Sequence, residues 1–257
     1  MGRKPAKTPK MRESLNKFYG FAKGKIVPDL RYSQYVYEDV LEAHVTSKSD
    51  WLDIGCGHHL LPSWRFEQEM ELIGRAQSVV GLDYDFPSLT KHKTISRKVM
   101  GTADALPFKN EHFDIVTGNM VVEHLDKPGI QFAEIKRVLK PDGLFIFHTV
   151  NETGYFAAMR KLVPDILVKR LARVLDGRES DDVFEVHYKA NSEKKINQLS
   201  EKTGFAVEKI NFISSDAVFS LVPPLAVVEL LWIKLLMLRS LHKLRTNLIV
   251  VLRKKTL

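Results

Sequence analysis

Apolar residues in this chain form short continuous runs that alternate with segments of helical periodicity. The apolar runs predict buried strands at 50–54, 79–83, 113–119 and 144–150. Helical spacing between and before these runs predicts helices at 30–44, 62–74, 91–97 and 128–139. Lys140-Pro141-Asp142-Gly143 breaks the last of these helices before the next strand. Strands that alternate with helices indicate a mostly parallel sheet with right-handed crossovers.

The remaining chain predicts one more helix, two more strands and two longer helical segments. A helix at 191–203 has an Asn/Ser cap before it and Gly204 after it. Strands follow at 205–214 and 247–253, and the helical segments lie at 155–175, interrupted at Pro164, and at 217–245. We therefore predict a basic, flexible tail over 1–25 and a single domain over 26–257, with helical insertions at about 154–176 and 217–245.

The first predicted strand ends in the sequence Asp53-Ile54-Gly55-Cys56-Gly57. Glycine permits a positive φ and lets a ligand approach the backbone without meeting a Cβ atom. Ligands in open α/β sheets bind at the carboxyl ends of the strands. This glycine turn therefore predicts a binding site at that edge. Because Cys56 is a small residue inside the turn, a buried packing role is expected for it rather than a nucleophilic one.

Three later segments place polar side chains at the same edge of the sheet. The second strand ends at Asp83, a turn after Gly101 contains Asp104, and the strand that begins at Phe113 ends at Asn119. In this order and spacing, the segments resemble the class I S-adenosylmethionine-dependent methyltransferases, specifically the small-molecule type with a GxG first loop. The resemblance spans about 51–149, under half of the chain.

The resemblance implies a Rossmann-like class I methyltransferase fold of seven mostly parallel strands with helices on both faces. The two helical insertions would then follow strand 5 and separate strands 6 and 7. It also implies S-adenosyl-L-methionine as the cofactor. The cofactor-binding residues that it implies are Asp53, Gly55, Cys56, Gly57, Asp83, Tyr84, Asp104, Ala105, Asn119 and Met120.

Within this set, the resemblance assigns Asp53 and the glycine backbone to the methionine end of the cofactor, together with Asn119 and Met120. Asp83 would accept hydrogen bonds from both ribose hydroxyls, and the alternative for it is a helix N-cap. Asp104 and the backbone N–H of Ala105 would bind adenine. His59 departs from the family, because many relatives have a third glycine at that position.

A catalytic base is less defined by the sequence than the cofactor site. Glu123-His124 follows the fourth strand, and His124 is the candidate base because an imidazole titrates near neutral pH. The pair would alternatively only brace its loop, and His148, His187 and Tyr188 are the other candidates. Tyr32 and Tyr35 either reach the cofactor or substrate or pack on the sheet. The sequence shows no metal-ligand spacing, so no metal is expected.

The positive charge is concentrated at the two ends of the chain. The net charge is +8, while residues 1–25 carry +7 and residues 230–257 carry another +7. A slightly acidic body with two basic ends suggests an anionic partner, either a membrane surface or nucleic acid, although solvated tails are the alternative. The aliphatic 217–245 segment favours a peripheral helix on anionic lipid. The alternatives for it are a cap on the substrate cavity and a dimer interface.

The predicted activity is methyl transfer, most simply to an oxygen of a small or lipid-linked molecule. The strand tip Gly118-Asn119-Met120-Val121 lacks the Asn/Asp-Pro-Pro-aromatic sequence that enzymes use to methylate exocyclic amines of bases. An RNA methyltransferase is the alternative enzyme, and a membrane-associated cofactor-binding protein without turnover is the alternative of another class. The single cysteine and the absence of an apolar run after the basic start predict a cytoplasmic protein. The oligomeric state is not predicted.

Overall fold

The structure is a computed structural model that describes residues 9–162 and 186–256. Its strands are β1 Asp50–Ile54, β2 Ser78–Asp83, β3 Arg97–Met100, β4 Phe113–Asn119, β5 Leu139–Val150, β6 Phe205–Ile213 and β7 Asn247–Lys254. They form one seven-stranded sheet in the order β3-β2-β1-β4-β5-β7-β6. Parallel pairing joins β1 to β2 and β4, β2 to β3, and β4 to β5. The predicted seven-stranded, mostly parallel sheet is confirmed.

The helices mostly follow the predicted periodicity. They are α1 Pro9–Ile26, α2 Ser33–His44, α3 Phe66–Arg75, α4 Phe86–Lys91, α5 Pro128–Val138, α6 Tyr155–Leu162, α7 Glu193–Thr203 and α8 Pro223–Leu236. Short 3₁₀ helices lie at Ser63–Arg65, Val122–His124 and Arg239–Leu244. Gly204 ends α7 with a φ of 77°, the left-handed conformation that glycine adopts most readily after a helix.

Two predicted element boundaries are wrong. The helix after β2 spans Phe86–Lys91 rather than 91–97, because Pro87 occupies its first turn, where proline is favoured. Strand β5 begins at Leu139 rather than 144, because the predicted break is accommodated inside the strand. Leu139 pairs with Phe113 and Leu144 with Ile115, so the extra residues bulge, and Asp142 has a φ of 60°.

The predicted flexible tail is also wrong over residues 9–25, which lie in α1. Ala22 in this helix, with Val27 and Leu30 just after it, belongs to one buried apolar cluster with Leu230 and Ile233 of α8. Burial of apolar area stabilises a segment whose lysine-rich composition alone suggests disorder. The helix therefore depends on a partner about 200 positions away in the chain.

The described residues divide into two compact units. One comprises 9–33, 153–162 and 212–247 and contains α1, α6 and α8. The other comprises 34–152, 186–211 and 248–256 and contains β1 to β5. The prediction of one domain over 26–257 did not anticipate this division. The second half of the predicted 155–175 segment, which begins near Pro164, lies outside the described residues.

Aromatic packing fixes α5 against the sheet in the second unit. The Phe132 ring of α5 meets the Phe145 ring of β5 edge-on, with centroids 5.3 Å apart, and both side chains are fully buried. Edge-to-face contacts of this kind add to the free energy gained from burial. They set the position of α5, which holds one loop of the candidate site.

Candidate active site

Asp53 lies near the end of β1 and is only 2% exposed. Its partner across the strand pair is Thr117 of β4, whose hydroxyl donates to Asp53 Oδ1 at 2.5 Å. The same hydroxyl oxygen accepts a hydrogen bond of 2.7 Å from Trp51 Nε1. Burial raises the pKa of Asp53 to about 8, and the nearby carboxylates of Glu69 and Asp83 add to the shift. Near neutral pH, Asp53 is therefore a protonated carboxyl group under the glycine turn.

The glycine turn has the predicted positive φ angles, 63° at Gly55 and 51° at Gly57. A Cβ added at Gly55 would lie 2.4 Å from Val121 Cγ2, whereas a Cβ at Gly57 would meet nothing within 4 Å. Gly55 thus permits the chain itself to pack closely, and Gly57 faces open space that a ligand can occupy. Burial raises the pKa of the Cys56 thiol, so this residue serves as protonated packing under the turn.

Asp83 connects the end of β2 to the glycine turn. Its Oδ2 accepts the backbone N–H of Gly57 at 2.8 Å, and its Oδ1 accepts the N–H of Asp85 at 2.9 Å. Asp85, not Asp83, is the N-cap residue of α4, so the alternative interpretation of Asp83 as a helix cap is not observed. A carboxylate has about four acceptor positions, so two remain for the hydroxyls of a ribose.

Asp104 and Ala105 are exposed in the loop after β3. Side chains of α5 form hydrogen bonds with the backbone of this loop at Leu106. Glu134 Oε2 accepts the Leu106 N–H at 3.0 Å, and Arg137 Nη2 donates to the Leu106 carbonyl at 2.8 Å. Arg137 and Glu134 also pair with each other at 2.7 Å. This clamp was not predicted from the sequence, although an acid and an arginine three residues apart on a helix are a recognisable signal.

The tip of β4 is held by an amide pair. Asn119 Nδ2 donates to Gln34 Oε1 at 2.9 Å, and Gln34 Nε2 donates to Asn119 Oδ1 at 3.2 Å. Met120 follows with a φ of 57°, and its N–H donates to the carbonyl of His148 at 2.8 Å. This positive φ at a residue other than glycine is backbone strain at the edge where a ligand is expected. Gln34 was missed because its neighbours in α2 dominate the apolar pattern.

His148 supports this tip from inside the protein. The Nδ1–H tautomer of its imidazole donates to Asn119 Oδ1 at 2.9 Å, and the ring stacks on Tyr37 with centroids 5.7 Å apart. Burial lowers the pKa of His148 to about 3, so the ring is neutral and a weak base. The geometry thus gives His148 a positioning role.

The Glu123-His124 turn lies beside the segment that contains two other candidate bases. The Glu123 carbonyl accepts the N–H of His187 at 2.8 Å and of Tyr188 at 3.2 Å. The buried Glu123 carboxylate accepts the Thr149 hydroxyl at 2.7 Å, which fixes the turn below the surface. The backbone of His187 and Tyr188 therefore pairs with the turn that contains His124, and these are three of the four candidates named from the sequence.

Tyr35, one of the two tyrosines considered as contacts for the cofactor or substrate, lies in α2. The Arg65 guanidinium lies over the Tyr35 ring at 5.4 Å, and Arg65 also pairs with Glu38. Tyr35 therefore packs in a charged cluster, while Gln34 and Tyr37 are the α2 residues that contact the β4 tip and His148. Within 9–162 and 186–256, no group of three His, Cys, Asp or Glu residues is arranged to hold a metal ion.

Comparison with known proteins identifies the family of the segment that forms this edge of the sheet. Residues 52–147 match the protein family described as a methyltransferase domain. This segment is a class I methyltransferase domain. The methyltransferase fold also extends over most of the chain. A solved S-adenosylmethionine-dependent methyltransferase from Methanosarcina mazei superposes on 85% of this chain and 98% of its own, with a TM-score of 0.57 at 15% identity.

Relatives by sequence include two named methyltransferases and one uncharacterized protein. An uncharacterized protein of Methanocaldococcus jannaschii is 27% identical over 191 residues, which is 69% of each chain. A demethylmenaquinone methyltransferase of Staphylococcus haemolyticus is 25% identical over 77% of this chain and 82% of its own. A ubiquinone biosynthesis O-methyltransferase of Cereibacter sphaeroides is 34% identical, over 42% of this chain and 44% of its own.

The methyltransferase uses S-adenosylmethionine as its cofactor. The residues that surround the sheet edge fit that molecule. The open space at Gly57 would accommodate the ligand against bare backbone, Asp83 keeps acceptor positions for a ribose, and the exposed Asp104 loop is clamped from below. Asp53 and Asn119 would supply polar groups for the amino-acid end of the cofactor. The individual assignments of the cofactor-binding residues stay predictions.

Proposed function

We propose that this methyltransferase acts on an oxygen of a small or lipid-linked molecule. The observation that carries the proposal is the pairing of the 187–188 backbone with the Glu123-His124 turn at the carboxyl end of β4. It places the backbone of His187 and Tyr188 next to the turn that contains His124. His124 and His187 are both partly exposed, so a substrate can reach them.

Bound S-adenosylmethionine supplies a methyl group on a sulfonium, which is already activated for transfer. The protein has to bind both reactants, align them and exclude water. Asp83 and the Gly57 N–H form one rigid contact point for the cofactor, and Glu134 with Arg137 fixes another at the Asp104 loop. The Gln34–Asn119 pair holds the tip of β4.

An alcohol or phenol acceptor has to lose a proton as its oxygen gains the methyl group. An imidazole that titrates near neutral pH suits this task. We propose that His124 accepts this proton as the general base. His187 and Tyr188 are the residues proposed to orient the hydroxyl group of the acceptor. His148 is the poorer candidate, because burial lowers its pKa to about 3.

The names of the relatives support an acceptor that is methylated at oxygen and an acceptor that is lipid-linked. The Cereibacter relative is named for O-methyl transfer in ubiquinone biosynthesis, and the Staphylococcus relative for demethylmenaquinone. A relative from Legionella pneumophila is a malonyl-[acyl-carrier protein] O-methyltransferase. Two of these names refer to quinones and two to oxygen.

The test uses the full chain, S-adenosylmethionine labelled on the methyl group, and a cell extract separated into lipid, small-molecule, RNA and protein fractions. The proposal predicts label in the lipid or small-molecule fraction. Alkaline treatment then distinguishes the acceptor oxygen, since a methyl ester releases labelled methanol and a methyl ether does not. Label confined to RNA would favour the nucleic-acid alternative. Cofactor binding without any transfer would favour a binding protein, and either result would overturn the proposal.

A further inference from the structure

Helix α8 exposes one apolar face to solvent. Five large apolar side chains on it are at least 38% exposed, and their helical spacing places them on one side of the helix: Leu225, Val228, Leu231, Trp232 and Leu235. The opposite side is buried, with Leu230 and Ile233 in the cluster shared with α1. The helix is therefore apolar on both sides, and its outer side is exposed among the residues that the structure describes.

The charges of α8 and the segment after it are sorted by sign. Glu229 is 7% exposed, and its carboxylate accepts the Tyr155 hydroxyl at 2.8 Å and the Phe219 N–H at 2.9 Å. It is the only acidic residue in 217–247. Lys234, Arg239 and Lys243 are exposed. The outward charge of this segment is therefore positive, next to a broad apolar surface.

Arg245 follows Lys234, Arg239 and Lys243 in the sequence, but its guanidinium binds the protein backbone. Its guanidinium donates to the carbonyl oxygens of Leu236 at 3.0 Å, Met237 at 3.1 Å and Phe212 at 3.0 Å. It thus satisfies carbonyl groups at the end of α8, where a cation is also favoured by the helix dipole. It stabilises the helix that carries the apolar face.

We propose that the outer face of α8 binds the surface of an anionic phospholipid bilayer, with the helix lying in the plane of the membrane. Apolar side chains would enter the boundary between headgroups and acyl chains, and the lysine and arginine side chains would meet phosphate groups. Trp232 has the amphipathic ring that favours this boundary. The proposal goes beyond methyl transfer and does not depend on the identity of the acceptor.

The length of the helix favours a surface position over a span. No helix in the described part of the chain is long and apolar enough to cross a membrane. At about 1.5 Å per residue, the 14 residues of α8 extend roughly 21 Å, against roughly 30 Å for the hydrocarbon core of a bilayer.

The charge distribution favours lipid over a second copy of the chain. In a two-fold symmetric contact, each residue near the axis meets its own counterpart. Such a contact through this face would bring Lys234 and Arg239 of two copies together with no exposed acid of the segment to neutralise them. An anionic bilayer neutralises both.

Helix α1, in the same compact unit, repeats this chemistry. Phe21 is 66% exposed and Phe18 is 39% exposed. Lys25 Nζ lies 6.0 Å from the centroid of the Phe21 ring. Exposed aromatic rings among lysines are typical of peripheral membrane segments.

The test is flotation of the full chain, without cofactor or acceptor, with vesicles of phosphatidylcholine alone or mixed with phosphatidylglycerol. The proposal predicts flotation only with the anionic vesicles, a decrease at high salt, and a blue shift of tryptophan emission. A Trp64→Phe background removes the other exposed tryptophan; Trp51 is fully buried and stays as a constant signal. Because neither cofactor nor acceptor is present, a failure here is separate from a failure of the proposed methyl transfer.

The α8 variant combines V228S, L231S and L235S. All three side chains lie on the exposed face, so the variant should fold. Circular dichroism and thermal unfolding test whether it does. Its matched control is M70S with I130S, since these side chains are each 52% exposed on α3 and α5. The proposal predicts that the α8 variant loses flotation and the control keeps it. K234E with R239E should lose binding to anionic vesicles, whereas K109E, at an exposed lysine elsewhere, should not.

Three outcomes would overturn the proposal. The first is that the wild type fails to float with anionic vesicles. The second is that it floats equally well with neutral vesicles, and the third is that the α8 variant floats like the wild type. Light scattering on the same samples tests the other occupant. A concentration-dependent dimer of the wild type that the α8 variant abolishes, together with absent flotation, would assign the face to a second copy.

Discussion

The carboxyl group of Asp53 and the hydroxyl of Thr117 are cross-strand neighbours joined by a buried hydrogen bond of 2.5 Å. Trp51 Nε1 holds the same hydroxyl from its other side, so the hydroxyl hydrogen is directed at Asp53. Strands β1 and β4 therefore fix the orientation of the buried acid beneath the glycine turn before any ligand binds. Preorganisation of this kind lowers the entropic cost of binding.

Asp53 makes the unliganded protein less stable as the pH rises. Its pKa is about 8 in the folded chain and 3.8 when unperturbed, so between these values the folded state holds a proton that the unfolded state has lost. The stability from this group is fully present below about pH 4 and is lost as the pH rises through about 8. Urea unfolding at a series of pH values should show this loss in the wild type, and Asp53→Asn should remove that part of the slope. Asp142→Asn, at an exposed aspartate, is the control and should leave the slope unchanged.

Asp83→Ala should weaken cofactor binding. The change removes an acceptor proposed for the ribose and also releases the N–H groups of Gly57 and Asp85, which Asp83 now binds. Loss of a charged hydrogen bond costs about 1–3 kcal/mol, or roughly 5- to 150-fold in affinity. Calorimetric titration with S-adenosylmethionine measures the effect. Asp83→Asn keeps one acceptor oxygen and should bind with intermediate affinity; wild-type affinity in the alanine variant would contradict the assignment.

Alanine at Gly57 and at Gly55 should have different effects. A Cβ at Gly57 meets nothing within 4 Å, so Gly57→Ala should fold, with only the moderate strain of a positive φ, and lose affinity for the cofactor. A Cβ at Gly55 would lie 2.4 Å from Val121 Cγ2, so Gly55→Ala should lower the melting temperature more. Thermal unfolding and calorimetry on both variants separate the effects. Equal melting temperatures with unchanged cofactor affinity at Gly57 would refute this division.

His124→Ala should reduce kcat by about 10²- to 10⁴-fold while cofactor affinity stays constant, because the loss of a general base affects only the chemical step. The measurement is transfer of labelled methyl to the acceptor found in the extract experiment, as a function of pH. His112→Ala is the matched control, since this exposed histidine lies just before the opposite end of β4. Unchanged turnover in His124→Ala would shift the role to His187 or Tyr188, each tested by its own substitution.

The sequence alone determined the features whose cause is local. A glycine turn after an apolar strand predicts positive φ angles at Gly55 and Gly57, and the structure has them. The alternation of strands and helices predicts the parallel sheet, because each element buries an apolar side at its own period. The position of three acids at strand ends or turns then predicts one shared site, since parallel strands end at one edge.

Tertiary structure decided everything that depends on residues distant in the chain. Gln34 pairs with Asn119, Thr117 with Asp53, and the 187–188 backbone with Glu123, and no local pattern encodes such pairings. Residues 9–26 are helical because α8 covers one side of them, an effect that a lysine-rich composition hides. The same packing decided which side of α8 is exposed. A helix that is apolar all round does not mark its inner face, so the face is set only by the partner against which it packs.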